Sequence, residues 1–278
     1  LPRWKSGAKQ DMVKQIYGDN ATDMLRESMG VTTNDSCSVF HQRWVENFKK
    51  RPPYSFVNRP KYIFIGCDPN GGGDSEMCVF SCSMEAGQFI IVGIESQHTK
   101  GYGDIRSLLV THVTQLRRVW KSATFIFIPE SNLGHEASHM HHMLSSQPRL
   151  HTLMERGEPG VITTHRRKEL YANYAVEQFA GDAMHWAKDS EFTCMNPFQD
   201  ANKRATIVKK KFLQQLGFFN KIVIPRGEPE EGAIPKVVYS GKKSGPDDTI
   251  MTMVITLYWS MMFMTNRSTP NASTLKLT

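Results

Sequence analysis

The sequence predicts an α/β domain with a mixed central sheet flanked by helices, and three observations carry that reading. Short apolar runs joined by tight turns open the ordered region, as in an antiparallel meander. Strand-like runs then alternate with amphipathic helices, the order that produces parallel pairing. A long apolar helix closes the pattern. The chain has 278 residues, 40% of them hydrophobic. That length allows one large domain, or one domain with an added segment.

Residues 1–57 are rich in charged and polar side chains and end at Arg51-Pro52-Pro53. They read as a linker or the remnant of an upstream region, with helices expected over 11–26 and 40–49. Residues 58–266 read as the domain. Tyr62-Ile63-Phe64-Ile65-Gly66-Cys67 is an apolar strand stopped by Asp68-Pro69-Asn70-Gly71, a strong turn signal. Strands are expected over 77–84 and 89–95, with Glu85-Ala86-Gly87 as the turn between them. Ile105, Leu108, Leu109, Val113, Leu116 and Val119 recur at helical spacing over 104–120. A Phe- and Ile-rich strand follows over 124–129, then a helix over 134–144. Amphipathic helices are expected over 167–187 and 201–216, the second with a basic face. Short strands are expected over 221–224 and 236–239, and the apolar helix over 247–264. The tail, 267–278, is rich in Ser, Thr and Asn and is expected to be mobile.

No run of about 18 uncharged apolar residues occurs, so no membrane partner is expected. The net charge is +7, which favours a polyanionic partner without establishing one. Cys37, Cys67, Cys78, Cys82 and Cys194 contain no CxxC pair. Cys67, Cys78 and Cys82 lie in apolar runs, which points to core thiols and a reducing compartment. The chain starts at Leu1 without a secretory signal pattern, and a longer parent protein is expected.

The chemistry concentrates in a few acids. Asp68 follows directly on one apolar strand and Glu130 on another, while Asp247 and Asp248 begin the apolar helix. Carboxylates at the ends of buried elements can converge at one sheet edge. Converging carboxylates repel, and a hard divalent cation with oxygen ligands, Mg²⁺ or Mn²⁺, relieves that repulsion. Two such ions about 3.5–4 Å apart activate water and stabilise the leaving oxygen of a phosphodiester. Each acid also has an ordinary explanation, as a turn former or a helix cap. Glu95, at the end of the third strand, has a weaker claim.

A different function class enters with His135-Glu136-Ala137-Ser138-His139, which matches HExxH. On a helix, its two histidines could hold Zn²⁺ with Glu136 as base, as in a zinc metallopeptidase. No third ligand is evident downstream, and a solvated His-rich helix is the plainer reading. The basic clusters are Arg166-Arg167-Lys168, Lys203-Arg204, Lys209-Lys210-Lys211 and Lys242-Lys243. Lysine and arginine on phosphates give affinity and position without reading sequence. Arg166, Arg167, Lys203, Arg204, Lys242 and Lys243 are the candidate DNA contacts.

Four segments in order resemble the C-terminal nuclease domain of the herpesvirus terminase large subunit and, more distantly, tailed-phage terminase nucleases. They are Gly66-Cys67-Asp68-Pro69, Ile128-Pro129-Glu130-Ser131-Asn132, Ala175-Val176-Glu177-Gln178-Phe179, and Lys242-Lys243 leading to Asp247-Asp248-Thr249-Ile250. The resemblance spans roughly residues 60–263. It implies an RNase H-like fold and a metal-dependent endonuclease, a phosphodiester hydrolase that cuts concatemeric double-stranded viral DNA during genome packaging. It implies Asp68, Glu130 and Asp248 as catalytic, metal-binding acids, with Asp247 beside them, holding two Mg²⁺ or Mn²⁺ ions. It also implies other terminase subunits and the capsid portal as partners, and the host cell nucleus as the location. The chain departs from the family's pattern after Asp68, with Asn70-Gly71-Gly72-Gly73-Asp74, and after Glu130, with Ser131 in place of Gly. Both changes point to a distant branch. No GxxxxGK[ST] loop occurs, so the packaging ATPase of the full-length family is not in this chain. A non-catalytic terminase assembly module with degenerate acids is the remaining alternative.

Overall fold

A computed structural model of the chain describes residues 36–69, 76–98, 102–132, 135–194, 201–224, 236–240, 248–268 and 275–277. In chain order the strands are β1 (Ser36–Ser38), β2 (Tyr62–Asp68), β3 (Met77–Glu85), β4 (Gln88–Gln97), β5 (Thr124–Pro129), β6 (Leu150–Glu155), β7 (Glu158–Pro159), β8 (Met184–Trp186), β9 (Asn220–Ile224), β10 (Lys236–Ser240) and β11 (Leu275–Leu277). The helices are α1 (Gln42–Lys50), α2 (Tyr102–Val119), α3 (His135–Leu144), α4 (His165–Ala180), α5 (Ala201–Phe218) and α6 (Asp248–Ser268).

The main sheet runs β11-β6-β5-β2-β3-β4-β8, with β7 paired to β6. β2, β3 and β4 form the expected antiparallel meander. β5 adds parallel to β2, and β6 parallel to β5. The sheet is therefore mixed and central, as expected. β1, β9 and β10 make a separate small sheet.

Alternation along the strands explains the layering. Successive side chains point to opposite faces. Ile63 and Ile65 pack with Phe125, Phe127, Leu108, Leu109 and Leu116, so α2 covers one face. Phe64, Ile126 and Ile128 pack with Met253, Val254 and Leu257, so α6 covers the other. Burial on both faces is why β2 and β5 read as unbroken apolar runs. Gly66 falls on the α6 face. A Cβ there would strike the Thr256 side chain, so glycine is what lets α6 lie tight against β2.

Several expected boundaries differ. The helix expected over 167–187 ends at Ala180 with Gly181 as its cap, and Asp182 adopts φ +58°. The chain then turns into β8, which pairs with β4. A left-handed residue after a glycine ends a helix whatever the apolar spacing beyond it. β6 went unread because His151 and Thr152 interrupt its apolar run. In the segment 1–57, α1 buries Val45 and Phe48, and Phe40 just before it is fully buried. This part of the segment packs as one core with the domain. The tail, expected to be mobile, supplies β11 against β6. The helix expected over 11–26 lies outside the described residues. Cys67, Cys78 and Cys82 are buried free thiols, and Cys194 is also free. Among the described residues, no helix is long and apolar enough to cross a membrane.

Candidate active site

β2 and β5 run parallel in register, Cys67 facing Pro129. The Glu130 amide donates to the Cys67 carbonyl at 2.8 Å, so Asp68 and Glu130 leave adjacent strand ends side by side. Period-two alternation puts both on the α6 face, in phase with Phe64 and Ile128. Glu130 is buried, at 7% exposure. Asn132 Nδ2 donates to Glu130 Oε1 at 2.5 Å, and Asn132 Oδ1 accepts from the Thr163 amide at 2.7 Å. Asn132 thus ties the Glu130 carboxylate to the start of α4, whose N-cap is Thr164.

Asp248 is the first residue of α6. One carboxylate oxygen accepts from the Glu76 amide at 3.0 Å, and its carbonyl accepts from Thr252 Oγ1 at 2.8 Å. The close contact of α6 with β2 at Gly66 brings this helix start towards the ends of β2 and β5. The same convergence shows in the electrostatics. The Asp68 carboxyl is held well above the usual carboxylate range by burial, then by the charge of Glu130, a hydrogen bond to Glu130 and the charge of Asp248; Lys168 acts against this. The Cys67 thiol is pushed up by burial and then by Asp68 and Glu130.

The donor set is oxygen-only and self-repelling, the chemistry that suits a hard divalent cation. Asp68 and Glu130 are the adjacent pair, and Asp248 faces them across the gap with its carboxylate turned to Glu76. Among the described residues, no three His, Cys, Asp or Glu side chains already stand in a ligating cluster.

The other sequence-singled residues divide. Arg166 is exposed in the first turn of α4. Arg167 is committed elsewhere: it forks onto Glu155, at 2.9 Å through one nitrogen, and donates to the Ile162 carbonyl at 2.7 Å. Arg204 pairs with Glu95 at 2.7 Å, and Glu95 is 1% exposed. Asp247, Lys242 and Lys243 lie outside the described residues, as does the side chain of Lys203. In the HExxH segment, His139 is exposed and the Glu136 carboxyl is raised by burial. The His135 side chain lies outside the described residues. Lys168 is the residue that sequence reasoning did not separate from its neighbours. It is half-buried, one turn into α4, and is the cation whose charge reaches Asp68. Its helical phase, one position beyond Arg167, was the available signal.

No family profile and no curated protein sequence matches the chain. Solved structures do. The human cytomegalovirus terminase nuclease domain, soaked with Mn and bound to an inhibitor, superposes with a TM-score of 0.57 at 12% identity, covering 80% of this chain and 95% of that one. The Mn-soaked domain without inhibitor gives 0.56 at 13% identity, covering the same shares, 80% and 95%. A third structure of that domain gives 0.54 at 13% identity, covering 79% and 94%. The chain therefore has the RNase H-like fold of the terminase nuclease domains, with its mixed sheet flanked by helices.

Proposed function

We propose that this chain is a metal-dependent endonuclease that cuts concatemeric double-stranded viral DNA during genome packaging. One observation carries the reading. Asp68 and Glu130 emerge side by side from adjacent parallel strands, with Asp248 facing them, and no Lys or Arg among the described residues forms an ion pair with either of the first two. Adjacent acids that lack a paired cation, one of them buried, are candidates for a site. The relatives of similar fold are terminase nuclease domains, two of them soaked with Mn, which supports both the reaction and the cation.

Asp68, Glu130 and Asp248, with Asp247 beside them, would hold two Mg²⁺ or Mn²⁺ ions. When bound, such ions supply the charge that makes water nucleophilic near neutral pH and that stabilises the departing 3′-oxygen. The chain's own groups position and screen. Asn132 fixes the orientation of Glu130. The Glu76 amide holds Asp248. Lys168 balances the acids and stands where a backbone phosphate would approach. Arg166, Lys203, Arg204, Lys242 and Lys243 are proposed to meet the DNA backbone, and Arg167 to brace α4 through Glu155. Other terminase subunits and the capsid portal are proposed as partners, and the host cell nucleus as the setting.

Supercoiled plasmid tests this reading. The protein with Mn²⁺ should produce nicked and linear DNA, EDTA should stop it, and Asp68→Asn should not cut. Cutting by Asp68→Asn at the parent's rate would remove Asp68 from the mechanism.

A further inference from the structure

A cavity of about 330 Å³ opens between the end of β4 and α5, beside the acids. Its walls include Glu95, Ser96, Arg204, Lys211 and Thr249. Thr249 is the residue after Asp248. Ser96 pairs with Cys78, and Cys78 with Asp68. Neighbouring strands lie about 4.8 Å apart, so the cavity's Ser96 row stands ~10 Å from Asp68.

The helix that walls it is one-sided in charge. α5 carries Lys203, Arg204, Lys209, Lys210 and Lys211, and no acid of its own. Two of these cations face the cavity, each oriented by a carboxylate from another element. Lys211 Nζ donates to Glu76 Oε2 at 2.6 Å and to Ser96 Oγ at 2.9 Å. Arg204 donates to Glu95 Oε1 at 2.7 Å. Neither is exhausted by those bonds. An ammonium has three donors and a guanidinium five. The Arg204 Nε is buried and has no partner among the described residues. The same Glu76 that holds Lys211 presents its amide to Asp248, so cavity and acid cluster share a residue.

We propose that this cavity is a subsite for one backbone phosphate of the DNA, offset from the bond that is cut and held by Lys211 and Arg204. The proposal rests on the nuclease reading above and adds a second point of contact to it. The ~10 Å from Asp68, two strand spacings, puts this phosphate near the bond that is cut and not at it. Glu76 and Glu95 keep the two cations in fixed orientations before DNA arrives. A pre-oriented cation loses less side-chain freedom on binding.

The test is duplex binding by fluorescence anisotropy in EDTA over a range of salt, which removes metal and cleavage from the readout. Lys211→Gln should reduce the slope of log affinity against log salt by about one and weaken binding several-fold. Lys211→Arg should restore the slope. Lys121→Gln, an exposed lysine at the opposite end of the sheet, should leave it unchanged. Arg204→Gln takes an ion-pair partner from the buried Glu95, so the Glu95→Gln/Arg204→Gln pair is used instead, with its melting temperature recorded, and should behave as Lys211→Gln. An unchanged slope in folded Lys211→Gln, or an equal drop in Lys121→Gln, would overturn the subsite. The two readings fail separately: plasmid cleavage by Asp68→Asn would defeat the nuclease assignment whatever the salt slope shows.

Discussion

Asp68 and Glu95 sit near the same end of one sheet, two strands apart, and their surroundings are opposite. Glu95 is paired with Arg204 at 2.7 Å, and its neighbour Glu76 with Lys211 at 2.6 Å. Asp68 has another carboxylate, Glu130, as its hydrogen-bonding partner, and burial with like charge holds its carboxyl well above the usual range. The β4 side pairs its acids with cations of the fold. The β2–β5 side leaves them in conflict, which a fold retains where a ligand resolves it. The contrast separates the proposed metal-binding acids from acids that orient cations.

The sharpest way to break this contrast is to remove a carboxylate from each side. Glu130→Gln keeps the shape and the Asn132 contact but removes the charge. Mn²⁺-dependent plasmid cleavage should fall by ~1,000-fold, about 4 kcal/mol of barrier, with little change in melting temperature. Arg204→Ala should instead act on stability. Breaking a buried pair by removing one partner costs about 3–5 kcal/mol, a large fall in melting temperature, read by thermal denaturation at fixed pH. If Arg204→Ala melts like the parent, Glu95 is not held as described.

Smaller effects refine the comparison. Gly66→Ala would drive a methyl group into Thr256 and push α6 from β2. Overpacking of this kind costs about 1–3 kcal/mol. Because α6 carries Asp248, cleavage by the folded variant should drop as well, which separates a positioning effect from lost stability. Asp68→Asn carries the smallest and most diagnostic shift. A raised folded-state pKa means that the folded protein binds a proton more readily than the unfolded chain. Metal-free stability therefore falls as pH rises from the ordinary carboxylate range towards the raised value, and the loss persists above it. Asp68→Asn removes that loss. At neutral pH in EDTA it should melt higher than the parent, by on the order of 1 kcal/mol, with the gap closing as pH is lowered. A lower melting temperature at neutral pH would mean that Asp68 and Glu130 are not in conflict.

Much of this was legible in the sequence, for physical reasons. Apolar runs stopped by Asp68 and Glu130 marked strand ends, where carboxylates can converge at one sheet edge. The start of the apolar helix marked Asp248. What remained hidden depended on contacts distant along the chain. Arg204 and Glu95 lie 109 residues apart, so the helix read as a DNA-facing basic surface while one of its cations was already held by a buried acid. Arg167 read as a DNA contact, and the Glu155 that it forks onto lies 12 residues away. Lys168 could not be separated from its basic neighbours without the phase of α4. β8 stayed hidden because apolar spacing ran through Gly181 and Asp182, where the backbone turns.

Asp248 joins the Asp68–Glu130 pair from another element and is held by the Glu76 amide. Cleavage of supercoiled plasmid at saturating Mn²⁺, parent beside Asp248→Ala, tests it most directly. The parent should convert the plasmid to nicked and linear forms while Asp248→Ala, equally folded by its melting curve, leaves it supercoiled. Equal cutting by both proteins would contradict a site built from these three acids.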